Sequence, residues 1–360
     1  MDEAELLLRL VGKYSPSGRE QAAVREFVRC ARTLGYLART DAAGNGIAMR
    51  GTGRPRIVFL GHIDTVSGRL PVRVRSGRVF GRGAVDAKGP LAAALWAGRE
   101  LPGAGEYLVI AAVGEETDSR GARYLTHRLQ PDAVIAGEPG RWDGVTIGYK
   151  GELQIVRTFR GHRTHYSSPA PTAADRVVDW LSALRAFVAS RQTDSPYRSL
   201  SAKVLELASR RDGDLETAQA TVDFRLPPGL STEELERALP TPSDRTRCAV
   251  KVRVEPLELD RNNAAVSALI AGVRSLGGQP TLWRKAGTSD LNLVLPSWGV
   301  PGAVYGPGNP HLDHTDRESI SVTEVRRAAQ VLRFALERLR EPGRLALAPR
   351  DASRPNSVSD

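Results

Sequence analysis

The chain has 360 residues, 41% of them hydrophobic, and a formal net charge of +10. That is enough apolar material for a substantial core, expected in two domains; no apolar run approaches the ~20 residues that cross a bilayer, and the acidic start Met1-Asp2-Glu3 is unlike a secretory signal, so a cytoplasmic location is expected. The 51 basic residues are scattered, without Lys/Arg blocks or interleaved aromatics, which argues against nucleic-acid binding, and Cys30 and Cys248 are too few and too far apart for a disulfide framework or a cysteine-based metal site.

Along the chain, Ser17-Gly18-Arg19-Glu20 has the form of a capping box and predicts a helix through about Leu34. Short apolar runs follow. They end in Gly61-His62-Ile63-Asp64, Gly83-Ala84-Val85-Asp86, Gly114-Glu115-Glu116 and Gly137-Glu138-Pro139, with an Ala-rich helix expected from Leu91 to Leu101. β-rich runs of this kind read as buried parallel strands, and open α/β sheets collect their ligands at the carboxyl ends of such strands. His62, Asp86, Glu115, Glu116 and Glu138 are therefore expected to converge on one crevice.

Four carboxylates crowded together would repel one another without a cation between them, and imidazole with carboxylate suits Zn²⁺ or its neighbours. Metal-assisted hydrolysis needs one further carboxylate that stays off the metal and moves the proton. Adjacent residues at a strand end point in different directions, so Glu115 and Glu116 can divide these tasks. A dinucleotide loop is excluded because Asp86 stands where the third glycine of Gly81-x-Gly83 would be needed, and there is no Gly-x-Ser-x-Gly elbow.

From Thr146 the pattern changes. Two long strands, a helix from Thr172 to Arg191, strands near Lys203–Leu207 and Gln219–Arg225, a helix opened by Ser231-Thr232-Glu233-Glu234 and a strand at Ala249–Pro256 give the β-α-β-β-α-β order of a ferredoxin-like unit. After Asn262-Asn263 the first pattern resumes and ends in a helix from Thr323 to Arg340. The expected division is 1–148, an insertion at 149–259, 260–341, and a disordered tail at 342–360 rich in Pro, Ser and Arg.

These segments, together with Gly287-Thr288-Ser289-Asp290 and Gly306-Pro307-Gly308 followed by His314, resemble the co-catalytic zinc aminoacylase and carboxypeptidase family that includes acetylornithine deacetylase, succinyl-diaminopimelate desuccinylase and the LysW-lysine hydrolases. The resemblance runs from about residue 3 to 340. Trp142-Asp143-Gly144-Val145-Thr146-Ile147-Gly148-Tyr149-Lys150-Gly151 is most similar to the LysW-lysine hydrolase branch. It implies a zinc-peptidase-like α/β catalytic domain with an inserted ferredoxin-like α+β lid and dimerisation domain.

The resemblance also implies roles. His62 and Glu138 would hold one Zn²⁺, Glu116 and His314 a second, and Asp86 would bridge them, with Co²⁺ able to substitute. Glu115 would be the general base and Asp64 would orient His62. His311 competes with His314, which is favoured by its distance from the acidic pair Asp316 and Glu318. In Gly161-His162-Arg163-Thr164-His165, His165 fits the histidine that reaches a partner subunit's active site, so a homodimer is expected. Arg225, Thr288 and Ser289 are candidates for substrate binding. The implied activity is release of lysine, and of ornithine as an alternative, from the γ-carboxyl of the terminal glutamate of LysW, a small acidic carrier protein that the chain's positive charge suits. The alternatives are acetylornithine deacetylase, succinyl-diaminopimelate desuccinylase and, in another class, a non-catalytic binding protein on the same fold.

Overall fold

The computed structural model describes residues 1–101, 104–163, 165, 167–242 and 246–345. Thr164 of the histidine loop and residues 346–360 of the expected disordered tail lie outside the described residues. The chain divides into a larger unit of residues 1–147, 259–283 and 289 onward, and a smaller unit of residues 148–258 and 284–288.

The larger unit opens with α1 (Glu3–Val11), α2 (Gln21–Thr33), β1 (Leu37–Thr40), β2 (Gly46–Arg50), β3 (Thr52–His62), β4 (Arg73–Arg75) and β5 (Arg78–Phe80). It continues with α3 (Lys88–Gly98), β6 (Ala104–Ala112), α4 (Arg120–Leu125), β7 (Ala133–Gly137) and β8 (Gly144–Tyr149). The smaller unit holds β9 (Gly151–His162), α5 (Ala173–Ala189), β10 (Ser201–Asp212), β11 (Leu215–Leu226), α6 (Thr232–Ala238), β12 (Thr246–Val254) and β13 (Leu257–Glu258). The chain then runs through α7 (Ala264–Ser275), β14 (Thr281–Lys285), α8 (Asp290–Trp298), β15 (Gly302–Val304), β16 (Ser319–Ser321) and α9 (Val322–Leu339).

The strands of the main sheet follow the order β1-β2-β6-β3-β7-β15-β8, in which β6, β3, β7 and β15 run parallel. This parallel core is where the continuous apolar runs go: Ile57 to Leu60, Tyr107 to Ala112 and Ala133 to Ala136 are all buried, as strands covered on both faces require. α9 packs against both α3 and α7. α3 is buried along nearly its whole length and comes close enough to β3 that a Cβ at Gly61 would stand 2.9 Å from Leu91.

Two expected helix starts are displaced. α2 begins at Gln21 without a side-chain cap, because the Ser17 hydroxyl is spent on the buried Asp64 carboxylate at 2.7 Å and Glu20 accepts from the Gly18 amide and Arg120. Donation to a carboxylate with no access to water fixes the Ser17 hydroxyl there, and its oxygen accepts nothing from the helix end, whose free groups are N–H donors. α3 begins at Lys88 rather than Leu91, since Pro90 falls in the first turn, where its missing N–H costs nothing.

In the smaller unit a four-stranded antiparallel sheet of order β10-β11-β9-β12 packs one face against α5 and α6. That connectivity is the ferredoxin-like one. Capping boxes Thr172/Asp175 and Ser231/Glu234 open its two helices.

Candidate metal centre

The register of the parallel strands assembles the site. His62, the last residue of β3, pairs with Ala112, the last of β6, and Gly61 pairs with Gly137, the last of β7. Glu115-Glu116 and Glu138 follow these strand ends directly, so alignment of the strands alone brings them together. Asp86 arrives from the segment between β5 and α3, and His314 from that between β15 and β16.

The result is two groups of three donors, His62, Asp86, Glu138 and Asp86, Glu116, His314, each with ligand atoms within 4.8 Å of one another. Asp86 belongs to both. Its Oδ1 lies 3.0 Å from His62 Nε2 and its Oδ2 3.0 Å from His314 Nε2, which is also 3.0 Å from Glu116 Oε1. Ligands about 2.0–2.1 Å from one tetrahedral ion stand roughly 3.3 Å apart. The spacing and the all-N/O donor set therefore fit divalent cations of the zinc type.

Electrostatics agree. Burial opposes charge on His62, yet its hydrogen bonds to Asp64 and Asp86 hold its pKa well above the usual imidazole value. Hydrogen bonds to Asp86 and Glu116 raise His314 to about 10. Burial pushes Glu115 well above the ordinary carboxylate range; His62 opposes this, while Glu138, Asp290 and Glu116 add to it. The pull that keeps protons on these groups is the pull that a bound cation answers.

Asp64 is fully buried and organises the centre. It faces His62 Nδ1 at 3.6 Å, while its two oxygens accept the backbone amides of Glu115 and Glu116, each at 3.1 Å, and the Ser17 hydroxyl. The segment that divides the glutamate pair thus hangs from the carboxylate that faces the histidine. His314 sits at φ 57, a left-handed conformation that is uncommon for a non-glycine residue.

Glu318 does for Asp86 what Asp64 does for the doublet. Buried, it accepts the amides of Val85 at 2.9 Å and Asp86 at 3.2 Å and pairs with Arg82 at 2.9 Å. In the sequence alone Glu318 marks only a distance from His314, and nothing links Ser17 to the site. Both depend on neighbours remote in sequence.

The remaining candidates belong to neither donor group. His311 is exposed and belongs to neither donor group. In the smaller unit His165 is exposed, with Nδ1 2.7 Å from the Ser167 hydroxyl. Arg225 pairs with Glu152 at 2.9 Å and Asp223 at 3.0 Å, and the Thr288 hydroxyl donates to the same Glu152 at 3.4 Å. Ser289 is buried at the start of α8, where its amide donates to the Asn292 side chain.

Residues 58–338 match the model of peptidase family M20/M25/M40. The chain belongs to this family. It is a hydrolase of the amide bond. The LysW-lysine hydrolase of Deinococcus radiodurans is 37% identical over 353 residues, covering 93% of this chain and 96% of the relative. The LysW-lysine/LysW-ornithine hydrolase of Sulfurisphaera tokodaii is 30% identical, with 93% and 95% covered. Among solved structures, the aminopeptidase PepT of Bacillus cereus superposes with a TM-score of 0.76 at 18% identity, over 94% of this chain and 98% of that one. The M20 family metallo-carboxypeptidase Sso-CP2 of Sulfolobus solfataricus gives 0.75 at 17%, over 94% and 100%. At such identities these two establish the fold alone. Among the described residues no helix is long and apolar enough to cross a membrane.

Proposed function

We propose that the chain is a di-metal amidohydrolase that releases lysine, and ornithine as a second product, from the carrier protein LysW, placing it in lysine and arginine biosynthesis in the cytoplasm. The observation that carries this reading is the 37% identity to a LysW-lysine hydrolase over 93% of the chain. The donor set supports the chemistry.

His62 and Glu138 would hold one Zn²⁺, Glu116 and His314 the other, and Asp86 both, with Co²⁺ able to replace them. When bound, such ions acidify water and polarise the scissile carbonyl. Glu115 belongs to neither donor group, and so stays available to take the proton from the attacking water and deliver it to the leaving amine. Asp64 fixes the direction of both His62 and the glutamate pair.

Residues 149–259 would serve as lid and dimerisation domain, and His165 would reach the site of a partner subunit to polarise the substrate carbonyl. Exposed apolar residues Val178, Val204, Leu205 and Leu207, on α5 and the edge strand β10, support self-association. Arg225, with Thr288 and Ser289, would meet the carboxylate of the amino-acid product, for which a guanidinium has the matching fork. The test is direct. Purified, zinc-loaded enzyme given LysW-lysine, acetylornithine and succinyl-diaminopimelate under one set of conditions should turn over the first with by far the highest kcat/KM. Preference for either acylated small molecule overturns the assignment.

A further inference from the structure

The sheet of the smaller unit has one uncovered face. Leu153, Ile155 and Phe159 of β9 and Ala218, Ala220, Val222 and Phe224 of β11 turn toward the helices. Alternation sends Val156, Thr158 and Arg160, with Thr217 and Gln219, the other way. Register adds Arg247 and Ala249 of β12 beside Thr158 and Val156, and Ala208 and Arg210 of β10 beside Gln219 and Thr217.

These residues line a concavity of about 450 Å³ whose charged members are Arg160, Arg210, Arg247 and Lys251. All four are exposed, and among the described residues the lining contains no carboxylate and none of the four has an ion-pair partner. Some other cations of the unit are matched, Arg211 with Glu216, Arg253 with Glu236, and Arg225 with Glu152 and Asp223. Four unmatched like charges on one concave face repel one another and contribute nothing to folding. The same face continues to the Arg225, Glu152 and Thr288 cluster, eight residues along β11 from Thr217, or about 27 Å at the rise of an antiparallel strand.

We propose that this uncovered face docks the acidic folded body of the carrier protein whose terminal amide the enzyme cleaves. The inference rests on the carrier reading above. It goes beyond it by separating the surface that recognises the protein from the groups that meet the amino acid. Charge complementarity names the occupant. A nucleic acid is disfavoured because, among the described residues, no aromatic side chain lines the concavity to stack with bases. The apolar strip of β10 and α5 proposed for self-association is a different surface, since Val204 and Leu207 pair with Val222 and Ala220, which turn toward the helices.

The test is the charge reversal Arg210→Glu/Arg247→Glu in the zinc-loaded enzyme, at two exposed positions on the outer strands of the sheet. At low salt, kcat/KM on LysW-lysine should fall about tenfold or more, through KM, and should lose most of its dependence on ionic strength. Turnover of free γ-glutamyl-lysine and the thermal melt should stay at wild-type values. An unchanged kcat/KM on LysW-lysine, or an equal fall on both substrates, overturns the docking face while leaving the carrier reading intact. Wild-type enzyme that neither binds LysW in a titration nor cleaves LysW-lysine overturns both. A duplex oligonucleotide that binds wild type more tightly than LysW does, and is lost in the variant, reassigns the face to nucleic acid.

Discussion

Glu318 accepts the backbone amide of Asp86 at 3.2 Å across 232 positions of sequence. The carboxylate shared by both donor groups is thus held by a second, buried carboxylate that belongs to neither. Glu318 stands immediately before β16, which pairs with β5, and β5 leads into the Asp86 segment. The small sheet therefore sets where the centre of the site lies.

Glu318→Ala should accordingly damage both stability and metal affinity. It strips an acceptor from the Val85 and Asp86 amides and leaves Arg82 without its carboxylate partner. Breaking a buried pair by removing one partner costs about 3–5 kcal/mol. Chemical denaturation should show a loss of that order, and zinc titration a weaker second equivalent. Glu318→Gln keeps one acceptor oxygen and should fall between the two. Wild-type stability in the alanine variant would refute the positioning role.

For Glu115→Gln we expect turnover to fall by ~10²–10⁴-fold or more with metal content unchanged. The amide cannot take a proton from water, and Glu115 lies outside both donor groups. Metal analysis beside single-turnover kinetics decides it. Loss of metal would exchange the roles of Glu115 and Glu116.

The two histidines of the terminal segment give opposite expectations. His314→Ala removes a donor 3.0 Å from both Asp86 and Glu116, and should cost one metal of two and most of the activity. His311→Ala should retain both metals, because His311 belongs to neither group. The reverse ranking would move the ligand.

How much of this was legible in the sequence follows from what each residue depends on. His62, Glu115, Glu116 and Glu138 end apolar runs, and apolar runs become parallel strands whose ends must align, so pattern alone located them. The β-α-β-β-α-β order was readable because turn and capping residues punctuate it, with Ser231 and Glu234 forming the expected box. Ser17 misled because its local pattern suits a cap while a buried carboxylate, 47 positions away, takes its hydroxyl. Glu318 and the basic concavity depend on which strands become neighbours, and that is a tertiary fact.

The part proposed for His165 yields a test that needs two dead enzymes. His165 is exposed in the segment between β9 and α5, with its Nδ1 2.7 Å from the Ser167 hydroxyl. If it acts across a dimer, His165→Ala and Glu115→Gln subunits, each inactive alone, should complement when mixed. One site of each heterodimer would then contain a wild-type Glu115 and a wild-type His165 from opposite chains. With random exchange half of the dimers are hybrids, each with one repaired site of two. About a quarter of wild-type activity should therefore return, with KM near wild type. Exchange should be verified independently by mass spectrometry of tagged subunits. Exchange without recovery would place His165 in its own subunit's site or outside catalysis altogether.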